Sequence, residues 1–362
     1  MKIAVTGSTG YVGAFSVKAL VEAGHRVRLL VRDPAKAQAV LRAVGVTGRL
    51  DCVQGDMTDE ASVLRALEGC TAALHCAAVV SVDPARGQEM LMANSRGTEL
   101  VIGHAVRRGL DPVVHVSSVT AVLRPGAKRL TTDMPLSPLG RGYARSKVVA
   151  EEYVRKLQAQ GAPILITYPG SVTGPAAGAN MGEGSQTVVE AARMGLVPTR
   201  DGAFVIIDAR DLGAIHAALM TPGRGPRRIM CGGHYVTAAE MARHMRTLTG
   251  RPFPVWPLSG AMLRRLARAA DAVSRNLVKF TNPLTHEASV YFTQMPPTDD
   301  SAVHRELSIR YRDLDETLRE AMLAAHALGQ LSAEQIGLVA PRTAGRAALR
   351  TTTPAKKKRR QR

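Results

Sequence analysis

The sequence is poor in cysteine and has no long apolar run. Its four cysteines are scattered over 362 residues without the spacing of metal ligands or of a disulfide framework, so no metal site is expected and the thiols are predicted to be reduced. No stretch of about eighteen apolar residues is free of charge, so no transmembrane helix is predicted. No signal peptide is expected, because Lys2 leads directly into an apolar strand pattern. Together these absences predict a cytoplasmic protein.

The strongly basic composition is concentrated near the C-terminus. The formal net charge is +18, and residues 342–362 contain nine Lys or Arg and no acid, which leaves 18 − 9 = +9 for the other 341 residues. No aromatic residue interleaves with these cations, which argues against base stacking. Residues 336–362 are predicted to form a disordered basic tail. We expect this tail either to make weak contacts through non-specific charge, with nucleic acid, an anionic membrane or an acidic partner, or to have no role.

A glycine-rich turn between a strand pattern and a helix pattern organises the first 24 residues. The turn, residues 6–13, reads TGSTGYVG and follows an apolar run at residues 3–5. This context is that of the first βαβ unit of a dinucleotide-binding fold, whose glycines allow a tight turn, a close approach to a pyrophosphate and close helix packing. The helix N-terminus then faces the phosphates. The predicted cofactor-binding residues here are Gly7, Thr9, Gly10, Tyr11, Val12 and Gly13.

Short β-branched runs alternate with helical patterns up to about residue 170. Strands are predicted at 3–5, 27–31, 52–53, 73–75, 113–116 and 164–167, with helices near 12–23, 35–43, 60–67, 89–108 and 144–160. This alternation predicts an α/β fold, a doubly wound parallel sheet with a smaller C-terminal substrate-binding lobe. We expect a dinucleotide-binding domain over residues 1–175, with 203–222 returning to it, and the substrate-binding lobe mainly over 176–335.

Three further strand ends supply candidate cofactor contacts. The second strand runs into Arg32 and Asp33; Arg32 suits a 2′-phosphate, whereas Asp33 serves either a ribose or the cap of the next helix. This favours NADP(H), with NAD(H) as the alternative. After the third strand, Asp56 is placed to reach an adenine amino group, or to cap a helix in competition with Asp59. Small residues after the fourth strand let the cofactor lie against it, and the candidates at these two ends are Asp56, Met57, Ala77 and Ala78. His75, at the end of the fourth strand, is predicted to be packed rather than catalytic.

Tyr143 and Lys147 form the strongest candidate for chemistry. Their spacing places them one turn apart on the same helix face. An ammonium near a phenol favours the phenolate, so Lys147 is expected to lower the pKa of Tyr143 into a working range. Ser118 ends the fifth strand and is expected to orient a substrate oxygen, with Ser117 as the alternative. Tyr143 would then exchange the proton. Both residues would also contact the cofactor, Lys147 by binding the ribose.

These motifs, in this order, resemble the extended branch of the short-chain dehydrogenase/reductase superfamily (the NAD-dependent epimerase/dehydratase superfamily) over roughly residues 1–325. The nearest subgroup is that of dihydroflavonol reductases and 3β-hydroxysteroid dehydrogenases. The resemblance implies that the loop at Pro169 contacts the nicotinamide and that the helices near 89–108 and 144–160 form a homodimer interface. Tyr168 and Leu123-Arg124 depart from the pattern of many sugar epimerases, which weakens a nucleotide-sugar function. The segments that carry the resemblance are 6–13, 31–34, 94–98, 115–118, 143–147, 169–175, 208–211 and 297–318.

The resulting functional hypothesis is an NADP-dependent oxidoreductase that interconverts a ketone or aldehyde and a secondary alcohol on an apolar small molecule, such as a flavonol or a sterol. Two alternatives stay open: a nucleotide-sugar epimerase or dehydratase with tightly bound NAD, and a non-catalytic NADP-sensing protein. Between residues 262 and 280, apolar residues at helical spacing alternate with arginines. That pattern fits either a helix packed on its own lobe or one that makes the protein peripheral to an anionic membrane.

Overall fold

The computed structural model describes residues 1–79, 87–139, 142–276 and 285–341. The strands are β1 Lys2–Thr6, β2 Arg26–Val31, β3 Asp51–Gln54, β4 Ala72–His75, β5 Val113–Val116, β6 Ile164–Pro169, β7 Ser171–Thr173, β8 Ala203–Asp208, β9 Arg227–Cys231 and β10 His234–Thr237. The α-helices are α1 Tyr11–Glu22, α2 Pro34–Ala43, α3 Glu60–Leu67, α4 Gly87–Arg107, α5 Gly142–Ala159, α6 Gly182–Met194, α7 Ala209–Ala218, α8 Ala238–Thr249, α9 Gly260–Asn276, α10 His286–Gln294, α11 Ser301–Arg305, α12 Leu314–Ala327 and α13 Ala333–Ile336.

Seven parallel strands form the main sheet, in the order β3-β2-β1-β4-β5-β6-β9. Helices cover both faces of this sheet, so its central strands are apolar on each side, as in β1 and β6. The strand order reverses between β1 and β4, where Thr6 lies beside His75 in register. Ligands of doubly wound sheets bind in the crevice at this reversal. The predicted α/β fold class is confirmed.

Two apolar clusters hold the helices to the main sheet. On one face, Phe15 of α1, Leu41 of α2 and Leu212 of α7 pack in a cluster that also contains Leu74 of β4. On the other face, α3, α4 and α5 pack in a second cluster that includes Ile102. Helices α4 and α5, expected at a dimer interface, pack against each other on this second face. The dimer itself stays a prediction.

The strand at residues 203–208 does not return to the main sheet as predicted. β8 instead pairs with β7 and β10 in a separate three-stranded sheet, while β9, expected in the smaller lobe, extends the main sheet beside β6. Gly170 allows the chain to leave β6 for β7, since a Cβ there would lie 2.3 Å from the carbonyl oxygen of Gly232. Helix α7, which follows β8, packs on the main sheet's helix α1.

A third apolar cluster forms the core of the smaller lobe. It joins α6, α8, α9, α10 and α12 through residues such as Val189, Met241 and Leu318. Order continues past the predicted start of the tail at residue 336: Ile336 and Val339 are buried, and a reciprocal cap between Ser332 and Gln335 holds α13. Residues 342–362, the rest of the predicted tail, lie outside the described residues. Among the helices that are described, none is long and apolar enough to cross a membrane.

Candidate active site

The glycines around the loop between β1 and α1 stand at positions with no room for a side chain. Gly7 has a φ of +78°, and a Cβ there would lie 2.6 Å from the amide nitrogen of Ala77. A Cβ on Gly13 would lie 2.1 Å from the carbonyl oxygen of Gly7. The N-cap of α1 is Gly10, which offers no side-chain acceptor to the first-turn N–H groups. The loop therefore fits a dinucleotide pyrophosphate, which would accept from these donors.

The three residues around this cap, Thr9, Tyr11 and Val12, differ in burial. Val12 is half-buried, as is Thr9 within the loop, so each keeps some exposed surface beside the first-turn N–H groups. The Tyr11 ring is buried instead, and its hydroxyl donates to the carbonyl oxygen of Pro175 at 2.9 Å. Burial raises its pKa above the ordinary tyrosine value. The Tyr11 side chain thus joins α1 to the segment before α6 and leaves only its backbone N–H for a phosphate.

Arg32 and Asp33, the two candidate cofactor-binding residues at the end of β2, lie in different surroundings in the structure. Arg32 is exposed, whereas Asp33 is the N-cap of α2 and accepts the N–H groups of Ala35 and Lys36 at 2.9 and 3.0 Å. The capping alternative for Asp33 is therefore observed. Arg32 and the neighbouring Lys36 are both exposed at the start of α2.

Asp56 and Met57 form a turn after β3 that is held by hydrogen bonds and by packing on α4. Asp56 accepts the backbone N–H of Thr58 at 2.9 Å and its hydroxyl at 2.8 Å, while the cap of α3 is Asp59, not Asp56. Met57 packs on α4 at Gly97, where a Cβ would lie 2.6 Å from the methionine sulfur. Gly97, the glycine of the 94–98 segment, thus leaves space for the turn at Asp56 and Met57, which would border the adenine of a bound cofactor.

The fourth strand ends in His75, whose side chain belongs to a row of buried, hydrogen-bonded polar side chains. His75 lies between Thr6, at 2.7 Å, and Thr98, at 3.2 Å, and burial followed by the charge of Lys147 lowers its pKa to about 3. The structure thus contains a packed, neutral His75. Ala77 and Ala78 follow it and stay partly exposed beside the glycine loop.

Tyr143 and Lys147 lie one turn apart on α5, above the end of β5. Lys147 Nζ lies 5.8 Å from the centroid of the Tyr143 ring and donates to the carbonyl oxygen of Val116 at 2.9 Å. Burial lowers the pKa of Lys147 to about 8, against the opposing effects of Cys76 and Glu151. The lysine is therefore anchored to the strand end and stays largely protonated at neutral pH.

The Tyr143 hydroxyl has the opposite pKa shift to the predicted one. Burial raises its pKa above the ordinary tyrosine value, the charges of Glu183 and Glu287 raise it further, and a hydrogen bond with the Ser118 hydroxyl lowers it. The predicted lowering of the Tyr143 pKa is therefore not found in this structure, because burial and the two carboxylates outweigh the groups that favour the phenolate. The raised pKa thus keeps Tyr143 protonated at neutral pH, so that its hydroxyl can act as a proton donor.

Of the two serines after β5, only Ser118 faces Tyr143. Ser117 is buried and donates to Glu151, whose carboxylate also accepts from Tyr168 at 2.6 Å and pairs with Arg155 at 2.8 Å. Tyr168, the residue that departs from the family pattern, is therefore part of a closed buried network behind the site. Pro169, which follows it, is buried at the end of β6.

Sequence reasoning missed three residues near the Tyr143 hydroxyl. Glu287 of α10 accepts the backbone N–H of Ala144 at 3.2 Å, and burial raises its pKa. Tyr291, one turn later, also lies close enough to interact with Tyr143. Glu183 lies in the first turn of α6. Nothing in the local sequence of α6 or α10 indicates these contacts, since both helices lie far from α5 along the chain.

Comparison with known proteins places this chain among enzymes. The family model described as "NAD dependent epimerase/dehydratase family" matches residues 3–224. The chain belongs to this family. It is 29% identical over 313 residues to "Sterol demethylase protein B" of Methylococcus capsulatus, covering 85% of this chain and 93% of that protein. It is 28% identical to a "Putative dihydroflavonol 4-reductase" of Synechocystis, covering 69% and 73% of the two chains.

The fold is also that of solved family members. A UDP-glucose-4-epimerase from Stenotrophomonas maltophila with bound NAD superposes with a TM-score of 0.71 at 19% identity, covering 91% of this chain and 99% of that one. The protein is therefore an NAD(P)-dependent enzyme of the extended short-chain dehydrogenase/reductase superfamily, as its motifs predicted. Its curated relatives include reductases.

Proposed function

We propose that this enzyme is an NADP(H)-dependent reductase of a ketone or aldehyde on an apolar small molecule, running the reverse oxidation at higher pH. The observation that carries the proposal is the position of the Tyr143 hydroxyl near Ser118 beside the crevice of the sheet, where burial raises its pKa and so favours the protonated phenol at neutral pH. Carbonyl reduction needs a proton donor at the developing alkoxide, and a positioned phenol supplies it.

Other residues of the chain would orient the substrate and hold the cofactor. The Ser118 hydroxyl donates a hydrogen bond to the substrate oxygen and orients it toward Tyr143. Lys147, anchored on the Val116 carbonyl with its ammonium 5.8 Å from the centroid of the tyrosine ring, would bind the ribose of the cofactor. The nicotinamide cofactor supplies or accepts the hydride when bound. Gly7, Gly10 and Gly13 would hold its pyrophosphate, with Pro169 bordering its nicotinamide.

Arg32 supports NADP(H) over NAD(H). The competing acid Asp33 already uses a carboxylate oxygen to cap α2, whereas the exposed guanidinium of Arg32 is available for a phosphate dianion. We expect NADPH to bind at least about tenfold more tightly than NADH, a difference of about 1.4 kcal/mol. The Arg32→Ala variant should lose most of this preference while its affinity for NADH stays unchanged.

The measurement is a titration of nicotinamide fluorescence with each cofactor. Arg26→Ala is the matched control, because Arg26 is equally exposed at the opposite end of β2. A preference for NADH in the wild type, or the same loss in both variants, contradicts the assignment. Copurified NAD that does not exchange, together with no net consumption of cofactor, would favour the epimerase or dehydratase alternative.

The relatives support an apolar substrate. One is named for sterol demethylation and another for dihydroflavonol reduction, and a sterol is a large, mainly apolar ring system. The acidic pair Glu183 and Glu287 beside Tyr143 also disfavours a diphosphate-bearing substrate by like-charge repulsion. A non-catalytic NADP sensor has no use for the Ser118, Tyr143 and Lys147 arrangement.

A further inference from the structure

Helix α9 exposes an apolar stripe beside the one it buries. Leu263 and Ala267 face the lobe core, and Leu263 packs in the same cluster as Phe292 of α10. A second row points outward, with Met262 44%, Leu266 54% and Val273 41% exposed. Residues spaced by three or four share one helix face, so this row is continuous. The exposed stripe consists of Met262, Leu266, Ala269 and Val273.

The flank of the exposed stripe is basic. Helix α9 contains four arginines and one aspartate, a net charge of 4 − 1 = +3. Arg265 and Arg268 are exposed, and Arg264 reaches across to Thr293 of α10 at 2.6 Å. The single acid, Asp271, accepts the backbone N–H of His286 at 2.8 Å. The outward face of α9 is therefore apolar along its centre and positive along its edge.

Charge and side-chain chemistry together select one class of partner. A nucleic acid backbone would satisfy the arginines but would leave three large aliphatic side chains without an apolar partner. A second copy of this chain would bring another strongly basic surface, since the chain carries a net charge of +18. An anionic lipid surface satisfies both features, because its acyl region takes the stripe and its head groups pair with arginines. Trp256, 53% exposed just before α9, is a residue type enriched at such interfaces.

We propose that the exposed face of α9 docks this enzyme on anionic phospholipid membranes. The helix would lie in the plane of the interface. Helix α9 packs on α10, and α10 carries Glu287 and Tyr291 next to Tyr143, so a single helix separates α9 from the candidate active site. The inference does not depend on the reaction, because it rests on α9 alone.

Trp256 provides a direct test because it is the chain's only tryptophan. The full-length protein is mixed with vesicles of phosphatidylcholine alone or with one-third phosphatidylglycerol. Binding is measured by co-sedimentation, and the tryptophan environment by its emission and iodide quenching. We expect sedimentation with anionic vesicles, with a blue shift and protection from iodide. The Leu266→Glu variant should bind at least about tenfold more weakly, since it places a charge in the apolar stripe.

Two variants separate the helix from the basic tail and from misfolding. Leu338→Glu, the same change at an exposed leucine elsewhere, should bind like the wild type. Arg265→Gln, which keeps the apolar stripe, should weaken anionic-vesicle binding by about fivefold. Wild-type binding by Leu266→Glu, or sedimentation with no change in tryptophan emission, would assign the contact to the tail and overturn the proposal. Failure of the wild type to sediment, or capture of an acidic protein instead, would overturn it equally.

Discussion

Tyr143 keeps its proton because the groups around its hydroxyl disfavour the phenolate. Burial and the nearby carboxylates Glu183 and Glu287 raise its pKa, and only the hydrogen bond with Ser118 opposes them. The site is thus set for donation at neutral pH, and removal of the proton becomes the harder direction. In the proposed reaction, reduction should be nearly independent of pH around neutrality, while alcohol oxidation should increase with pH.

Glu287→Gln tests this electrostatic account at a single residue. The amide retains an oxygen that can accept the Ala144 N–H but removes the negative charge that raises the pKa of Tyr143. We expect the pH profile of alcohol oxidation to shift toward lower pH, with reduction at pH 7 changed less than about threefold. Glu99→Gln, at an exposed position of α4, is the control. An unshifted oxidation profile in Glu287→Gln would refute the role of this carboxylate.

At the scale of elements, local patterns predicted six of the seven strands of the main sheet and missed its last strand, β9. Strands β1 to β6 and helices α1 to α5 follow periodicities and turns within single segments, so sequence reasoning found them. β8 and β9 are both short strands, and their own patterns do not show which sheet each joins. That choice depends on Gly170, where the chain turns out of β6 against Gly232.

In the candidate site, too, local patterns predict some residues, whereas others are brought in by tertiary packing alone. Gly7 to Gly13, Ser118, Tyr143 and Lys147 lie in motifs whose spacing carries the chemistry, so these residues were predictable. Glu287 and Tyr291 reach Tyr143 through the packing of α10, over 140 residues away, and only tertiary structure brings them there. The sign of the Tyr143 pKa shift was missed for this reason: the contribution of Lys147 was expected from helix spacing, but the opposing carboxylates were not.

At the scale of the whole molecule, three buried neutral histidines make the fold sensitive to acid. Burial lowers the pKa of His75 and of His216 to about 3, and that of His115 well below its ordinary value. Below about pH 6.5 the unfolded chain protonates these imidazoles and the folded protein does not. Stability is therefore complete above that pH, and each histidine removes about 1.4 kcal/mol per pH unit as the pH falls toward the folded value.

His115→Leu isolates one of these contributions. Both ring nitrogens of His115 are buried and have no hydrogen-bond partner among the described residues, so the substitution removes a titrating group and no hydrogen bond. We expect a melting temperature at pH 7 equal to or above that of the wild type, and a smaller loss of stability between pH 6.5 and 4.5. Calorimetry at each pH gives both quantities. A variant that loses stability with acid as steeply as the wild type would contradict the buried-histidine explanation.

The most direct test of the central claim is turnover of NADPH with a panel of apolar ketones by the wild type and by Tyr143→Phe. Tyr153→Phe, on the same helix, is the matched control. The account predicts that the wild type and Tyr153→Phe consume NADPH, and that Tyr143→Phe loses about 10²–10⁴-fold in kcat while its Kd for NADPH stays the same. Undiminished turnover by Tyr143→Phe would contradict the assignment of Tyr143 as the proton donor.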